Sequence, residues 1–291
     1  MSSIKSESFN EEKNKIEKGT LYLVATPIGN LADLSERAIK VLSEVDFIAA
    51  EDTRNSLRLL SYLGISKPMI SYFEHNKKER GSEIVARIAS GEACALITDA
   101  GTPAISDPGE DIVALCAAEG VPVYSIPGAC AAIVALTVSG LPTGRFTFEG
   151  FLSTNKAERK KHLTSLRGET RTMIFHEAPH KLRTTLDDLS KTFGEDRPIA
   201  LCRELTKKNE DIQRTTLGGA IAHYKETDPR GEYVLVLGGA TETEGSADWE
   251  SISVKEHVGR YEADGMSKMD AIKAVARDRG VAKNVIYKEI L

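Results

Sequence analysis

Residues 20–38 read TLYLVATPIGNLADLSERA, an apolar β-branched run followed by a short loop and an amphipathic stretch. This order predicts a strand, a turn and a helix, the unit with which open nucleotide-binding sheets begin. Aligned to G-x-G-x-x-G, however, the glycine positions hold Ala25, Pro27 and Asn30, and Pro27 has no backbone N–H to give a phosphate. With no G-K-[ST] in the chain, NAD, FAD and P-loop nucleotides are disfavoured. A ligand without phosphates, such as a nucleoside-type cofactor, fits better; the alternative is a purely structural turn.

Strand-like and helix-like segments alternate from this point onward, which predicts a parallel sheet covered by helices on both faces. Ser35 and Asn55 are the predicted N-caps of the first two helices, and Gly64, Gly91 and Gly120 the stop signals. A linker, LPTGR, leads into a second α/β unit, and a polar segment, TETEGSAD at 241–248, precedes helical sequence. We expect a flexible tail at 1–18, an N-terminal α/β domain at 19–144, a second α/β domain at 145–240 and a C-terminal helical module at 249–291.

Bulk composition excludes several classes of protein. The net charge of −5 argues against a general polyanion binder, so free RNA should bind poorly. The four cysteines form no C-x-x-C pair and sit in apolar surroundings, which is typical of reduced thiols in a cytosolic protein: Cys94, Cys116, Cys130 and Cys202. The polar start of the chain lacks a secretory signal, and no run of about 18 apolar residues is present. We expect a cytoplasmic protein that does not enter membranes.

Two loops after predicted strands are candidates for ligand binding. The segment ITDAGTPAISDPG, at 97–109, holds Gly, Thr-Pro and Asp-Pro-Gly, which force a fixed, open backbone. Such a loop can present carbonyls and N–H groups to a ligand, although Asp99 and Asp107 are also suited to simple Asx-turns. The segment SIPGACAA, at 125–132, consists mostly of small side chains, which leave space above the segment unfilled. Either a neighbouring backbone or a flat ring must lie against it.

Charged residues follow two further strands. AAEDTRNS, at 49–56, places Glu51, Asp52 and Arg54 at the end of the second strand, an arrangement suited to proton removal or substrate orientation. The alternative is a local salt bridge with a helix cap. His75, in YFEHN after the third strand, is a further candidate, because histidine is the residue type suited to proton transfer near neutral pH; a solvated loop histidine is the alternative to a catalytic one.

A literal metal motif and a basic run need separate treatment. HEAPH, at 176–180, matches the H-E-x-x-H zinc pattern, but Pro179 opposes a helix there and the preceding TMIF predicts a strand. We therefore predict no metal and place Pro179 in the first turn of the next helix. KAERKK, at 156–161, is interpreted either as a solvated helix face or as an RNA phosphate contact.

Seven segments, taken in order, resemble one known family. They are GTLYLVATPIGNLADLSERA, AEDTR, DAGTPAISDPG, IPGACAA, HEAPHKL, RELTK and GEYVLV. The chain resembles the bacterial ribosomal RNA (cytidine-2′-O)-methyltransferases of the tetrapyrrole-methylase superfamily, from Gly19 to about Gly239 and more weakly beyond. The resemblance implies two α/β domains with S-adenosylmethionine in the cleft between them. It also implies methylation of a cytidine in the decoding region of small-subunit (16S) ribosomal RNA.

The resemblance further implies particular site residues. Cofactor contacts are expected at Pro27, Ala100, Gly101, Thr102, Ile105, Cys130, Ala131, Glu177 and Leu205, with the last two acting mainly through backbone atoms. His176 departs from the pattern, since an aromatic residue is expected there. Glu51, Asp52 and His75 are the candidate proton acceptors for the ribose hydroxyl, and Arg54 is the candidate for orienting a phosphate.

Partners and rival functions follow from the same comparison. We expect the assembled small ribosomal subunit as substrate, a homodimer, and no DNA. A small-molecule methyltransferase acting on a corrinoid or porphyrin precursor is the nearest alternative, because fold alone does not fix function. Two further alternatives are a nicotinamide-dependent oxidoreductase, which the loop at 25–30 disfavours, and a non-catalytic RNA-binding module that uses the C-terminal helices.

Overall fold

The computed structural model describes residues 15–240 and 252–290. Most of the predicted tail (1–14), the predicted polar boundary at 241–248 and the first residues of the predicted C-terminal module (249–251) lie outside the described residues. Among the described residues, no helix is long and apolar enough to cross a membrane.

The first sheet has five parallel strands in the order β3-β2-β4-β1-β5. They are β1 (Leu21–Val24), β2 (Phe47–Ala50), β3 (Met69–Ser71), β4 (Cys94–Ile97) and β5 (Val123–Ile126). The three central strands are apolar along their whole length because helices cover both faces of the sheet. These helices are α1 (Glu36–Glu44), α2 (Thr53–Tyr62), α3 (Lys77–Ala89) and α4 (Gly109–Ala118), with α5 (Ala131–Val138) following β5.

The second sheet is mixed, in the order β6-β7-β10-β8-β9. Only β6 and β7 are parallel neighbours; the other pairs are antiparallel. The strands are β6 (Phe146–Phe151), β7 (Thr172–Glu177), β8 (Pro198–Arg203), β9 (Asp211–Thr216) and β10 (Tyr233–Leu237). Its helices are α6 (Lys156–Ser165), α7 (Leu182–Phe193) and α8 (Leu217–Glu226).

Helix α5, which follows the last strand of the first sheet, packs on the second sheet. Its Ala132, Ala135 and Leu136 lie in one buried cluster with Ile174 of β7 and Val234 of β10. The small side chains predicted at 125–132 therefore let a neighbouring element approach, which is one of the two interpretations left open by the sequence. Because α5 belongs to the first unit and covers the second sheet, it holds the facing surfaces of the two units in place.

The C-terminal module consists of α9 (Val254–Ala263), α10 (Lys268–Asp278) and α11 (Lys283–Ile290). These helices bury their own apolar cluster. Asp264 connects the module to the second unit: its carbonyl oxygen accepts a hydrogen bond from Lys160 at 2.7 Å, and its carboxylate pairs with Arg167 at 3.0 Å.

The predicted helix caps are correct in one case and wrong in the other. Ser35 caps α1, since its hydroxyl accepts a hydrogen bond from the Ala38 N–H at 3.1 Å. Asn55 is not a cap, because α2 begins two residues earlier. Asp52 takes that position, and its carboxylate accepts from the Arg54 N–H at 2.8 Å. Asp52 lies between the end of β2 and the first residue of α2, which is the position of the N-cap. Its negative charge is also stabilised by the positive end of the helix dipole.

Replacing Ser35 by alanine is expected to lower the free energy of unfolding by about 1 kcal/mol, the usual cost of losing an N-cap hydroxyl. Chemical denaturation monitored by circular dichroism measures this change. Ser35→Asp is the matched control, because a carboxylate caps the same N–H groups and should retain stability.

Candidate active site

Three loops of the first unit are fixed to one another at the carboxyl ends of β1, β4 and β5. Thr26 and Gly101 exchange two backbone hydrogen bonds of 3.0 and 3.1 Å. The Thr102 hydroxyl donates to the carbonyl oxygen of Ala129 at 2.9 Å. The carboxyl edge of a parallel sheet is where ligands bind in such folds, so these loops form the floor of a candidate site.

The second unit closes this site from the opposite side. Gly29 lies so close to the loop after β8 that an added Cβ would meet the Cγ of Lys207 at 2.3 Å and the Thr206 hydroxyl at 3.0 Å. Leu205 from the same loop packs in the cluster that contains Cys130 and Ala131. The structure therefore brings the predicted cofactor contacts Cys130, Ala131 and Leu205 together, next to the loop of Pro27.

Asp107 sets the shape of the 98–109 loop. Its carboxylate accepts hydrogen bonds from the N–H groups of Ala104 at 3.0 Å, Ile105 at 3.2 Å and Gly109 at 2.7 Å. Ala104 and Ser106 have positive φ angles of 67° and 64°, a region that L-residues rarely adopt. Asp107 therefore does form an Asx-turn. Its carboxylate also stabilises the strained conformation of the loop beside the cleft.

The remaining predicted contacts of this loop differ in exposure. Ala100 is exposed, Gly101 is buried with φ of 88°, and Ile105 is 44% exposed. An exposed apolar side chain on a rigid loop at the cleft is available to a ligand. Ile105 therefore remains a candidate contact, as do the backbone groups of 100–102.

Glu51 lies at the end of β2 in a group of acidic residues. Burial, the nearby charge of Asp99 and the charge of Asp107 raise the pKa of its carboxyl above the usual 4.5, while a hydrogen bond from the Asp99 N–H opposes the shift. The Asp99 carboxylate in turn accepts a hydrogen bond from the Asn55 amide at 3.3 Å. A half-buried carboxyl with a raised pKa is a stronger base than an ordinary glutamate and is typical of functional sites.

The other predicted catalytic residues have local partners. Asp52 caps α2 and also binds the Arg54 guanidinium through two contacts of 3.2 and 3.1 Å. Hydrogen bonds from Arg54 lower the pKa of Asp52, and the Arg54 side chain is 87% exposed. His75 is exposed, and its ring contacts Phe73 edge-on with centroids 6.1 Å apart. Glu51 thus interacts with the 98–109 loop through Asp99, whereas the side-chain hydrogen bonds of Asp52 and the ring contact of His75 lie within their own segments.

The HEAPH segment does not form the single α-helix that the zinc pattern requires. His176 and Glu177 end β7, and Pro179 occupies the first position of a short 3₁₀ helix, Pro179–Lys181. Glu177 is buried, and its carboxylate accepts from the Ala178 N–H at 2.8 Å and the Thr185 hydroxyl at 2.5 Å. Its side chain therefore supports α7, and only its backbone remains for the expected cofactor contact. Among residues 15–240 and 252–290, no three His, Cys, Asp or Glu side chains are grouped to hold a metal ion.

Comparison with known proteins identifies the family. The family model for Tetrapyrrole (Corrin/Porphyrin) Methylases matches residues 20–221, which is more than half of the chain. The chain belongs to the tetrapyrrole methylase family. The predicted fold class, two α/β domains of the tetrapyrrole-methylase type with C-terminal helices, is confirmed, as is S-adenosylmethionine as the cofactor.

Close sequence relatives of this tetrapyrrole methylase share one name. A protein of Halalkalibacterium halodurans named "Ribosomal RNA small subunit methyltransferase I" is 46% identical over 93% of this chain and 94% of its own. A protein of the same name from Bacillus subtilis is 45% identical over 96% of each chain.

Solved structures show the same fold at lower identity. A uroporphyrin-III-C-methyltransferase from Thermus thermophilus gives a TM-score of 0.55 at 18% identity, covering 76% of this chain and 94% of its own. A diphthine synthase gives a TM-score of 0.58 at 15% identity, covering 78% and 92%. These likenesses establish the fold alone.

One polar side chain beside the cleft of this tetrapyrrole methylase offers a hydrogen-bonding group to a cofactor. The Thr206 hydroxyl is buried and has no hydrogen-bond partner among the residues that the structure describes, which is costly unless a ligand supplies one. Thr206 also has a positive φ of 65°, so the backbone is held in an unfavourable form beside the cleft. The sequence did not predict a role for Thr206, although the RELTK segment contains it. A residue type does not show whether its hydroxyl has a hydrogen-bond partner in the fold.

The close approach of Gly128 to Ala25 provides a test of the cofactor site. A Cβ on Gly128 would lie 2.7 Å from the Cβ of Ala25, so Gly128→Ala must displace the loop that leads to Cys130. We expect the Kd for S-adenosylmethionine to rise about 5- to 100-fold, which corresponds to an overpacking cost of about 1–3 kcal/mol. Isothermal titration calorimetry measures the change.

Gly144 provides the matched control for this substitution. An added Cβ there meets no atom of the described residues within 4 Å, so Gly144→Ala should leave cofactor affinity unchanged. Equal affinity in the Gly128→Ala variant and the wild type would contradict the assignment of the 127–131 loop to the cofactor site.

Proposed function

We propose that this protein transfers a methyl group from S-adenosylmethionine to the ribose 2′-hydroxyl of a cytidine in the decoding region of 16S ribosomal RNA. The observation that carries the proposal is the similarity to relatives named as small-subunit ribosomal RNA methyltransferases. One of them is 46% identical over 93% of this chain. The alternative of a nicotinamide-dependent oxidoreductase is removed by membership of a methylase family.

The cofactor would be held by backbone groups of loops 26–29, 100–102 and 128–131 in the first unit and of 205–206 in the second. Bound S-adenosylmethionine supplies a methyl group activated by its positively charged sulfur. The protein's contribution is positioning, because displacement at carbon requires the attacking oxygen to approach in line with the departing sulfur. Loops locked together by the Thr26–Gly101 and Thr102–Ala129 hydrogen bonds are suited to that task.

A ribose hydroxyl is a weak nucleophile and must lose its proton as the new bond forms. Glu51 is the proposed acceptor, because it combines a position at the cleft with a raised pKa. Asp52 and His75, the other two candidates, have a capping role and an exposed position respectively. Arg54, with its exposed guanidinium, remains the proposed contact for a substrate phosphate.

The proposed substrate is the assembled small subunit rather than free RNA. A chain of net charge −5 gains little from general attraction to phosphates, so recognition must use a folded surface. The same proposal includes a homodimer, a cytoplasmic location and discrimination against DNA, since the reacting group is the 2′-hydroxyl that DNA lacks.

Transfer of tritium from labelled S-adenosylmethionine tests the function. Small subunits from cells lacking the enzyme should accept one methyl group, mapped to the 2′-oxygen of a cytidine by nuclease digestion and mass spectrometry. Free 16S transcript should react much more slowly, and a 2′-deoxycytidine at the mapped position should abolish transfer. Label on a corrinoid or porphyrin precursor but not on RNA would instead support the small-molecule alternative.

A further inference from the structure

A row of exposed aromatic side chains lies on β6, the edge strand of the second sheet. Phe146, Phe148 and Phe151 are 39%, 36% and 58% exposed. Phe148 and Phe151 stand opposite Ile174 and His176 of β7 in the strand register, on the face that α5 covers. Helix α5 packs over β7 and β10, so the sheet face continues past the helix as uncovered aromatic rings.

The far end of this row adjoins the candidate active site. A β-bulge between Phe148 and Gly150 turns the strand, and Gly150 has a positive φ of 63°. A Cβ at Gly150 would lie 3.5 Å from the Ser106 hydroxyl, so this part of β6 is in contact with the loop that Asp107 shapes. Phe148 and Phe151 are therefore next to the cleft, whereas Phe146 lies at the opposite end of the strand.

His176 lies between these two rings and has an unused polar atom. Its ring contacts Phe148 and Phe151 edge-on, with centroids 5.2 and 5.3 Å apart. Its Nε2 is buried and has no hydrogen-bond partner in the described parts of the chain, 15–240 and 252–290. An aromatic surface beside a polar atom that lacks a hydrogen-bond partner is suited to a flat ligand with polar groups at its edge.

Charge at the two ends of the strand favours a polyanion as that ligand. Arg145 precedes β6, and Lys156 begins α6 a few residues after it; both are exposed. The one acidic side chain of the strand, Glu149, is hydrogen-bonded to His162 at 2.8 Å. Aromatic rings flanked by cations are the arrangement that binds unpaired bases together with their phosphates.

We propose that Phe148 and Phe151 form a stacking platform for an unpaired base of the substrate RNA beside the methylated ribose, with His176 bonding to its edge. The proposal rests on the proposed function and specifies how that site holds its substrate. An unpaired base that is turned out of its stack as its ribose enters a protein cleft loses its stacking energy, and an aromatic surface can replace it.

Single substitutions test the platform in the full-length protein with small subunits as substrate. Phe151→Ala and Phe148→Ala should each raise KM for small subunits about 10- to 100-fold, the usual effect of losing one stacked ring. The Kd for S-adenosylmethionine should stay unchanged, and Phe151→Tyr should retain the wild-type KM. Phe146→Ala, on the same strand and face but at the other end, is the matched control and should leave KM unchanged.

Two results would overturn the platform. The first is an unchanged KM in both Phe148→Ala and Phe151→Ala. The second is a fall in oligomer mass by analytical ultracentrifugation that accounts for the higher KM, since the row would then contact a second copy of the chain. Failure of the wild type to methylate RNA would instead refute the proposed function, so the two failures are distinguishable.

Discussion

Replacing Glu51 by glutamine is expected to lower kcat for methyl transfer about 10²- to 10⁴-fold, the range associated with loss of a general base. Glutamine has nearly the same shape and can still accept the Asp99 N–H hydrogen bond, but it cannot take a proton from the ribose hydroxyl. Single-turnover transfer of labelled methyl measures the change, and calorimetry should show an unchanged Kd for S-adenosylmethionine.

Asp52→Asn is the matched control for this prediction. Asparagine caps a helix as well as aspartate does, so α2 should remain intact while the ion pair with Arg54 is lost. A large loss of kcat in Asp52→Asn together with a near-normal Glu51→Gln variant would transfer the role to Asp52.

The raised pKa of Glu51 adds a pH dependence with a defined sign. A base acts only when deprotonated, so wild-type kcat should fall as pH drops through a value above the ordinary 4.5, and Glu51→Gln should lack that limb. Because the folded protein holds this proton more tightly than the unfolded chain, ionisation of Glu51 lowers stability as pH rises. The glutamine variant should therefore be at least as stable as the wild type at neutral pH.

Removing the carboxylate of Asp107 is expected to raise the Kd for S-adenosylmethionine more than about 100-fold. Asp107→Ala deletes three charge-assisted hydrogen bonds, each contributing about 1.5–3 kcal/mol, that hold Ala104 and Ser106 at positive φ. Without them the loop should relax toward ordinary backbone angles and no longer match the cofactor. Calorimetry gives the affinity, and a single cooperative unfolding transition in the variant would show that the loss is not caused by global unfolding.

Asp107→Asn separates loop geometry from charge. Its one amide oxygen can still accept from the Ala104 and Gly109 N–H groups, while the bond from Ile105 is lost. We expect an affinity between those of the wild type and Asp107→Ala. Equal, near-normal affinity in both variants would mean that the loop keeps its shape without Asp107.

Local sequence patterns predicted the parts of the fold that depend on near neighbours. The apolar runs at 21–24, 47–50 and 94–97 gave parallel strands, because a strand covered on both faces can hold only apolar residues. Gly64, Gly91 and Gly120 follow the ends of α2, α3 and α4 with positive φ, as their role as stop signals requires. Pro179 excluded the zinc helix for an equally local reason.

Features that depend on contacts distant in sequence were not predictable. The raised pKa of Glu51 arises first from its burial and then from the charge of Asp99, a residue at the end of another strand, so the sequence could not favour Glu51 over Asp52. The capping role of Asp52 removed Asn55 from that position only once the start of α2 was known. The orphaned atoms of Thr206 and His176 depend on what surrounds them, and their residue types give no sign of it.

Helix α5 has a consequence for how such a chain can be divided. It is encoded with the first sheet, yet the apolar surface it covers belongs to the second. A cut near residue 144 would leave one fragment with an exposed apolar helix and the other with an uncovered apolar sheet face. Both fragments would tend to aggregate. A chimera that takes one half from a relative must therefore preserve the packing of Ala132, Ala135 and Leu136 against the second sheet. If that packing is lost, the apolar surfaces of both halves become exposed.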